Sequence, residues 1–570
     1  MGVAGMSNRT ALRLESRWIG GLPLINWVLE QLGLVELLRR YVPATEREKL
    51  AGAVTLSVLV RNLALCHDAL YAQEDWVHRC EPTLLGLTAE EAAAMNDTRL
   101  GRVLDRLYDA DRATLLTEIV LRAVRAFGIK TEELHNDSTT ITFSGRYRRA
   151  TGRIVRGRRA LRVVRGFNKD HRPDLKQLVW QLTVSADGAV PVHYRVWDGN
   201  TADVTTHQDT WRELVKLVGH TDFLYVADSK LCNSETMLAI AAEDGRFITV
   251  MPRNRKEHHA FRDWIQSHEP NWTEISRSEP RSSGVPDIWR GFESPVRSAE
   301  GFRILWVWNS GKALEDAEAR QEAIDRARTN LEALQQRLSG PRCRIKSRKA
   351  LDEQISAALG PHGARWMCLE VEQVQTEQRH KQGRGRPGPN STYTITVQES
   401  WHLKWDVNVA AVKAAARLDG MFPLMTNDDK LTIAEVLTKY KYQPFLEKRH
   451  EHLKTVQQVA PVCLKNECRI EALLFLHFVA LLAQALLERA LRQAMKKHGI
   501  AELAVYPEER VCRAPSAQRI LALFGNLQRH YLYEDGSLRG TFGPEVSPLQ
   551  AQILALLGLD QKDLAQELPL

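Results

Sequence analysis

The sequence predicts an α/β fold in which a mixed sheet is preceded by helices and interrupted by a long insertion, and three observations predict it. Over residues 1–128 apolar side chains recur at helical spacing, as in residues 22–41 and 50–65. From residue 133 the pattern changes to β-branched and apolar runs at 133–143, 177–185 and 190–197, after which helix and strand alternate. Between residues 253 and 418 that order breaks, and an apolar run returns at 419–427.

Each element has a local reason. Asn96, Asp97 and Thr98 form a cap ahead of the helical pattern that starts at Leu100. The strands at 177–185 and 190–197 are separated by Ala186, Asp187, Gly188 and Ala189, a hairpin turn. A helix over 205–218, a strand over 223–227, a helix over 234–243 and a strand over 247–251 follow. Three strands and then alternation is the order of an RNase H-like sheet. Ligands of α/β sheets gather at the carboxyl ends of strands, where Asp228 falls.

The insertion carries Trp264, Trp272, Trp289, Trp306 and Trp308, then a charged helix over 313–338 with Ala317, Ile324, Ala327, Leu331, Leu334 and Leu338 on one stripe. A second helix over 348–359 folds back on it, and a basic Gly/Pro segment at 381–389 can continue neither a helix nor a central strand. A helix from about 432 leads to Pro444, which suits the first turn of a new helix. Glu447 then lies near that helix's amino end, with Lys454 two turns on and nearly on the same face. The apolar helix over 471–487 is expected to pack on the sheet, and beyond 496 a hairpin over 531–542 around Asp535 and Gly536 precedes a helix from Leu549. The expected division is a helical domain 1–128, a core in two parts at 129–252 and 419–495, an insertion 253–418, and a carboxyl-terminal region 496–570 to which no role attaches.

At 570 residues the chain exceeds what one core supports. Its net charge of +8 permits a polyanionic partner, and the distribution sharpens that reading. Arg146, Arg148, Arg149, Arg153, Arg156, Arg158, Arg159, Arg162 and Arg165 occur without an acidic residue among them. Such a block needs a phosphate partner or costs self-repulsion. The eight cysteines are scattered without a Cys-x-x-Cys pair, so no structural zinc is expected. Residues 1–10 lack an apolar signal core, and the longest apolar stretch, 472–487, is broken by His477 and Gln484 and falls short of the about 20 residues a bilayer needs. A cytoplasmic protein without a membrane partner is the expectation.

Three carboxylates far apart in the chain, Asp137, Asp228 and Glu447, read as one site for hard divalent cations, which prefer oxygen ligands. Two residues separate Tyr440 from Gln443, three separate Gln443 from Glu447, and six separate Glu447 from Lys454. With the segments around Asp137 and Asp228, this resembles the DDE transposases of bacterial insertion sequences that carry a Tyr/Arg/Glu/Lys signature, except that Gln443 replaces the Arg. The resemblance implies an RNase H-like catalytic domain holding two Mg²⁺ or Mn²⁺ ions, with Asp137 bridging both and Asp228 and Glu447 each completing one. It implies cleavage at an element's ends and joining to target DNA, hence double-stranded DNA (terminal repeats and target) as partner and a homodimer on DNA. Tyr440 and Lys454 would contact the strand near the scissile phosphate, and Lys441, Lys448 or Arg449 would bind the DNA end in place of the signature Arg that Gln443 replaces.

Arg158, Arg159 and Arg162 belong to a phosphate-tracking loop in this reading. Arg384 and Arg386 resemble the core of an AT-hook but occur in one short copy, so a basic linker is favoured there. The alternatives are an RNase H-like nuclease without strand transfer and a transposase-derived DNA-binding protein that has lost catalysis. The intact triad speaks against the second.

Overall fold

The computed structural model describes residues 12–560 except 46–47, 203–204, 280–285, 341–342, 344, 346, 387, 390 and 461–463. The amino-terminal segment read above as lacking a signal core, and Pro387 of the basic segment, lie outside the described residues. The chain forms two compact units, one from Met1–Thr249 with Thr438–Leu570 and the other from Val250–Leu437.

In the first unit the strands β2 (Glu133–Phe143), β5 (Lys176–Ser185), β6 (Val190–Trp197), β7 (Leu224–Ala227) and β8 (Arg246–Val250) lie in the order β6-β5-β2-β7-β8. β5 and β6 run antiparallel to their neighbours as a hairpin whose turn uses Gly188 at φ +86°, whereas β7 and β8 are parallel to β2. Parallel strands need a crossover, and the helices His207–Val218 and Ser234–Ala242 supply them. Most of β2 and nearly all of β5 are buried, and the buried residues of β2 include the polar His135, Asn136, Ser138, Thr139 and Thr140. Between them sits a two-residue ladder, β3 (Ile154–Val155) with β4 (Arg158–Arg159).

The centre of this unit is the helix Glu467–Lys497, packed on β6 and on the helices Leu22–Gln31, Gly52–Leu65, Asp97–Asp109 and Pro548–Leu557. Among the described residues it is the one unbroken helix long and apolar enough to cross a membrane, and 89% of its most apolar window is buried inside the protein. It is longer than the apolar stretch that marks it in sequence because its polar residues are matched internally. Gln484 donates to the Ala64 carbonyl (2.9 Å) and Arg489 to the Phe127 carbonyl (2.7 Å). A helix that is apolar all round is a core helix. Asn96 caps Asp97–Asp109 as its sequence suggests, accepting from the Arg99 amide at 3.0 Å.

The expectation of a purely helical start is corrected by β1 (Leu12–Trp18), which pairs antiparallel with β15 (Gln528–Glu534), itself in a hairpin with β16 (Ser537–Phe542). The strict alternation of Leu12, Leu14, Ser16 and Trp18 with Arg13, Glu15 and Arg17 is a strand period. Its partner lies at the other end of the chain.

The second unit contains far more strand than the helical hairpin and linker expected of it. β9 (Thr273–Ser278), β10 (Asp287–Glu293), β11 (Arg303–Asn309) and β14 (Met421–Thr426), the last being the strand expected at 419–427, lie in the order β14-β11-β10-β9. The helix Ser310–Ser339 buries Ile324, Ala327, Leu331, Leu334 and Leu338, the expected stripe, and packs on Arg348–Gly363, which is broken at Gly360 (φ +61°) before Pro361. Against these helices lies the base of a long hairpin, β12 (Met367–Lys381) with β13 (Tyr393–Val407). Its outer half leaves Tyr393, Ile395 and Val397 exposed, and the basic Gly/Pro segment is its tip.

Candidate active site

The parallel register of β2 and β7 pairs Asn136 with Ala227, so the next residue on each strand, Asp137 and Asp228, stand side by side. Neighbouring strands are about 4.8 Å apart, which brings the two carboxylates into strong mutual repulsion. Burial, then the Asp137 charge, pushes the Asp228 carboxyl above its ordinary value. Asp228 directly follows β7; the Thr249 hydroxyl donates to its carbonyl (2.6 Å) and fixes its backbone, and the Lys230 amide donates to its Oδ1 (3.0 Å) and fixes its side chain. His207 Nε2 lies 3.9 Å from Asp228 Oδ1, with its Nδ1 3.0 Å from the Tyr225 hydroxyl.

Asp137 has two basic neighbours that sequence reasoning missed. Lys169 Nζ lies 3.4 Å from its Oδ1 while donating to Ser138 Oγ at 3.0 Å. His450 Nε2 lies 3.8 Å from its Oδ2, and neither ring nitrogen of this buried side chain makes a hydrogen bond among the described residues. Burial, then Lys169 and Lys454, lowers the His450 pKa to about 3, so the ring is a neutral imidazole at physiological pH. His450 follows Glu447 by three positions in one helix but is buried where Glu447 is exposed, so the spacing alone carried no signal for it.

That helix, Gln443–Glu451, has Pro444 in its first turn and packs on β2 and β5 through a face that buries Leu446, Arg449 and His450. Glu447 is on its exposed side. Tyr440, just before it, links all three acids: burial, then Asp228, Glu447 and Asp137 in that order, pushes its hydroxyl up to about 12. Gln443 carries a buried Oε1 without a hydrogen-bond partner among the described residues. The helix runs on into a wider π-turn, His452–Val456, in which Lys454 Nζ donates to Asp170 Oδ1 at 2.6 Å.

Of the cations expected to replace the signature Arg, Arg449 is not available to DNA. It is buried, ion-paired with Glu488 at 2.6 Å, and donates to the carbonyls of Ala189 (2.9 Å) and Gly188 (3.1 Å). It holds the helix against the β5–β6 turn and the core helix. Lys441 and Lys448 are exposed.

The arginine block also differs from its sequence reading, because acids remote in the chain match three of its nine arginines. Arg153 pairs with Glu467 (2.7 Å), Arg156 with Asp109 (2.6 Å) and Arg159 with Asp198 (2.6 Å), and Arg158 donates to the carbonyls of Tyr108 and Ala110 (3.0 and 2.8 Å). Arg146, Arg148 and Arg149 are exposed and form no ion pair among the described residues, and the Arg162 side chain forms none either. Arg384 and Arg386 sit exposed at the tip of the β12–β13 hairpin.

Among the described residues no three His, Cys, Asp or Glu side chains form a closed metal cage. The donor chemistry at the pair nevertheless suits a hard cation: two carboxylates whose repulsion a divalent ion would relieve, with Lys169 supplying the positive charge at Asp137.

Fold and site together define a mixed α/β protein with paired carboxylates at the end of a parallel strand pair. Residues 14–121 match the family described as a domain of unknown function, DUF4277. Curated proteins contain no match. Among solved structures, the piggyBac transposase synaptic complex with hairpin DNA, determined by cryo-electron microscopy, is similar at 10% identity with a TM-score of 0.26, over 50% of this chain and 60% of that one.

Proposed function

We propose that the protein is a metal-dependent phosphoryl-transfer enzyme acting on DNA, a DDE-type transposase that cuts and joins the ends of its own element. The observation that carries this reading is the side-by-side placement of Asp137 and Asp228 by the β2–β7 register, with Tyr440 under the influence of both and of Glu447. The order β6-β5-β2-β7-β8, antiparallel on one side of β2 and parallel on the other, supports an RNase H-like core. Asp137 and Asp228 would hold Mg²⁺ or Mn²⁺, with Glu447 joining from the helix. Such ions, when bound, lower the pKa of an attacking water or 3′-hydroxyl and neutralise the leaving oxygen of an in-line displacement.

The chain's own residues do the rest. Tyr440 keeps its proton at any physiological pH and can donate a hydrogen bond to a phosphate oxygen of the cleaved strand. Lys169 balances Asp137 and orients it through Ser138. His450, neutral at physiological pH, stands 3.8 Å from the Asp137 carboxylate without adding a charge to it. Lys454 reaches phosphate by exchanging Asp170 for it. The working form would be a homodimer on DNA, because two ends must be held together before they are joined.

The test is incubation of the purified protein with Mg²⁺ and a duplex bearing the inverted repeats that flank its gene. Cleavage at the repeat and a joined product, both abolished by chelation, are the expected result. Cleavage without joining would make it a nuclease, and binding without cleavage would refute the catalytic reading.

Two further outcomes follow for DNA binding. Neutralising Arg148 and Arg149, which have no ion-pair partner among the described residues, should weaken binding to every duplex alike and reduce the salt slope by about 0.9 for each phosphate no longer neutralised. A titration of affinity against salt on repeat and unrelated DNA checks this, and a loss confined to repeat DNA would contradict it. Gln443→Arg should tighten end binding, since a guanidinium adds a charge-assisted hydrogen bond that an amide lacks, and Gln443→Ala should be milder than Lys454→Ala. Cleavage rate and affinity for the three variants decide it.

A further inference from the structure

Within the second unit a cavity of about 540 Å³ is bordered by Arg253, Arg262 and Arg365, with Trp306, Trp366 and His258 in its walls. Some of the other charges on its rim are matched, whereas Glu322 and Arg326 form no ion pair among the described residues. Arg320 holds Asp419 through two hydrogen bonds (2.7 and 2.5 Å), and Asp316 takes the Gly420 amide (2.9 Å) and Lys312 (3.1 Å). Arg253, Arg262 and Arg365 form no ion pair among the described residues, and the Arg365 guanidinium lies 4.0 Å over the Trp366 ring. These cations feel one another. Arg365 is lowered by burial and then by Arg262, Arg320 and Arg253, and His258 is lowered to about 4 by burial and then by Arg262 and Arg253. A fold gains nothing by gathering unmatched like charges around a hollow, so the arrangement is poised for an anion.

An independent observation points the same way. His258 is 9% exposed, stands 5.6 Å from the Trp306 ring, and has an Nδ1 with no hydrogen-bond partner among the described residues. A buried polar atom left unpaired costs about 1–3 kcal/mol and calls for a partner that arrives from outside. His258 is neutral at physiological pH, so its Nδ1 can carry the proton and donate it to an oxygen.

We propose that this cavity is a binding site for a phosphate-bearing ligand, gripped by the guanidinium groups of Arg253, Arg262 and Arg365 and by His258 Nδ1. Guanidinium forks match phosphate oxygens in pairs, and the two indole walls favour a ligand that also carries a planar ring. The site rests on the second unit alone and is independent of the carboxylates of the first.

The full chain, free of divalent ions and at low ionic strength, is titrated calorimetrically with inorganic pyrophosphate and, separately, with a short DNA duplex. The double variant R262Q/R365Q should bind pyrophosphate at least tenfold more weakly than the wild type, while Asp228→Ala binds it unchanged. Loss for the duplex as well, with pyrophosphate displacing DNA from the wild type, identifies the occupant as a backbone phosphate. Loss for pyrophosphate alone identifies a free phosphorylated ligand. Because these arginines make no ion pairs among the described residues, the variant should melt where the wild type melts. If it melts lower, Arg253→Gln, an exposed substitution, carries the same comparison. Absence of pyrophosphate binding in the wild type, or equal affinity in the variants, overturns the proposal.

Discussion

Replacing Asp228 by Ala is expected to reduce DNA cleavage by at least about a thousandfold, roughly 4 kcal/mol of barrier, while duplex affinity changes little. Asp137→Ala and Glu447→Ala should behave alike, because each removes an oxygen donor from one site and none of the three carries a positive charge for DNA. Single-turnover cleavage together with equilibrium binding makes the measurement, and an Asp228→Ala protein of full activity would sink the assignment.

The same residue has a stability signature of opposite sign. Its carboxyl is raised in the fold by burial and by Asp137, so between its ordinary and its raised pKa the folded state binds more protons than the unfolded state. Stability contributed by the protonated form is therefore lost as pH rises through the raised value. Asp228→Asn, which cannot ionise, should raise the Tm of the metal-free protein at neutral pH while abolishing cleavage. Divalent-ion affinity in the wild type should fall as pH is lowered through the same range.

Arg449→Ala is expected to destabilise the first unit by about 3–5 kcal/mol, the loss typical when one partner of a buried ion pair is removed. That is a large share of the about 5–15 kcal/mol by which domains are held folded. Glu488 would be left buried with only Arg492 (3.7 Å) and the Ala517 amide (2.9 Å), and two backbone carbonyls of the β5–β6 turn would lose their donor. Burial works against the Glu488 charge, but Arg449, Arg492 and hydrogen bonds outweigh it and keep its pKa below the ordinary value. This stabilisation is present above the unfolded pKa and disappears as pH falls through the depressed folded one. Denaturant unfolding at neutral and acidic pH should show the variant's deficit shrinking as the medium becomes more acid. A variant of unchanged stability that loses DNA affinity would instead restore Arg449 to the DNA-binding role its sequence position suggested.

The parts of this fold that could be read from sequence are those whose signals are local. β5 and β6 announce themselves by apolar runs joined through Asp187 and Gly188, the cap at Asn96 precedes its helix directly, and the stripe on Ser310–Ser339 repeats at helical spacing. Asp137 and Asp228 stood out because their segments fall where the resembled family places its acids, and Glu447 because of its spacing from Tyr440 and Lys454. What escaped depends on partners far along the chain. β1 finds its strand more than five hundred residues away, the arginine block meets Asp109, Asp198 and Glu467, and Arg449 meets Glu488. The β12–β13 hairpin was hidden by its many charged and amide residues. Its period of two, in Leu369 and Val371 and again in Tyr393, Ile395 and Val397, was there to be counted.

The dependence of the first unit on both ends of the chain bears on its synthesis. The helices up to Phe127 and strands β2 to β8 leave the ribosome before the core helix Glu467–Lys497 that covers them, and β1 waits for β15. At translation speeds of about 5–20 residues per second, the interval is on the order of tens of seconds. Only towards the end of that interval does the second unit have its whole sequence, while apolar faces meant for Leu473 to Leu487 stay open to chaperones or to neighbouring nascent chains. A product truncated between Asp228 and Glu467 therefore has both aspartates but lacks the core helix that packs on β6. Premature termination would yield an aggregating fragment rather than a freely diffusing, folded one.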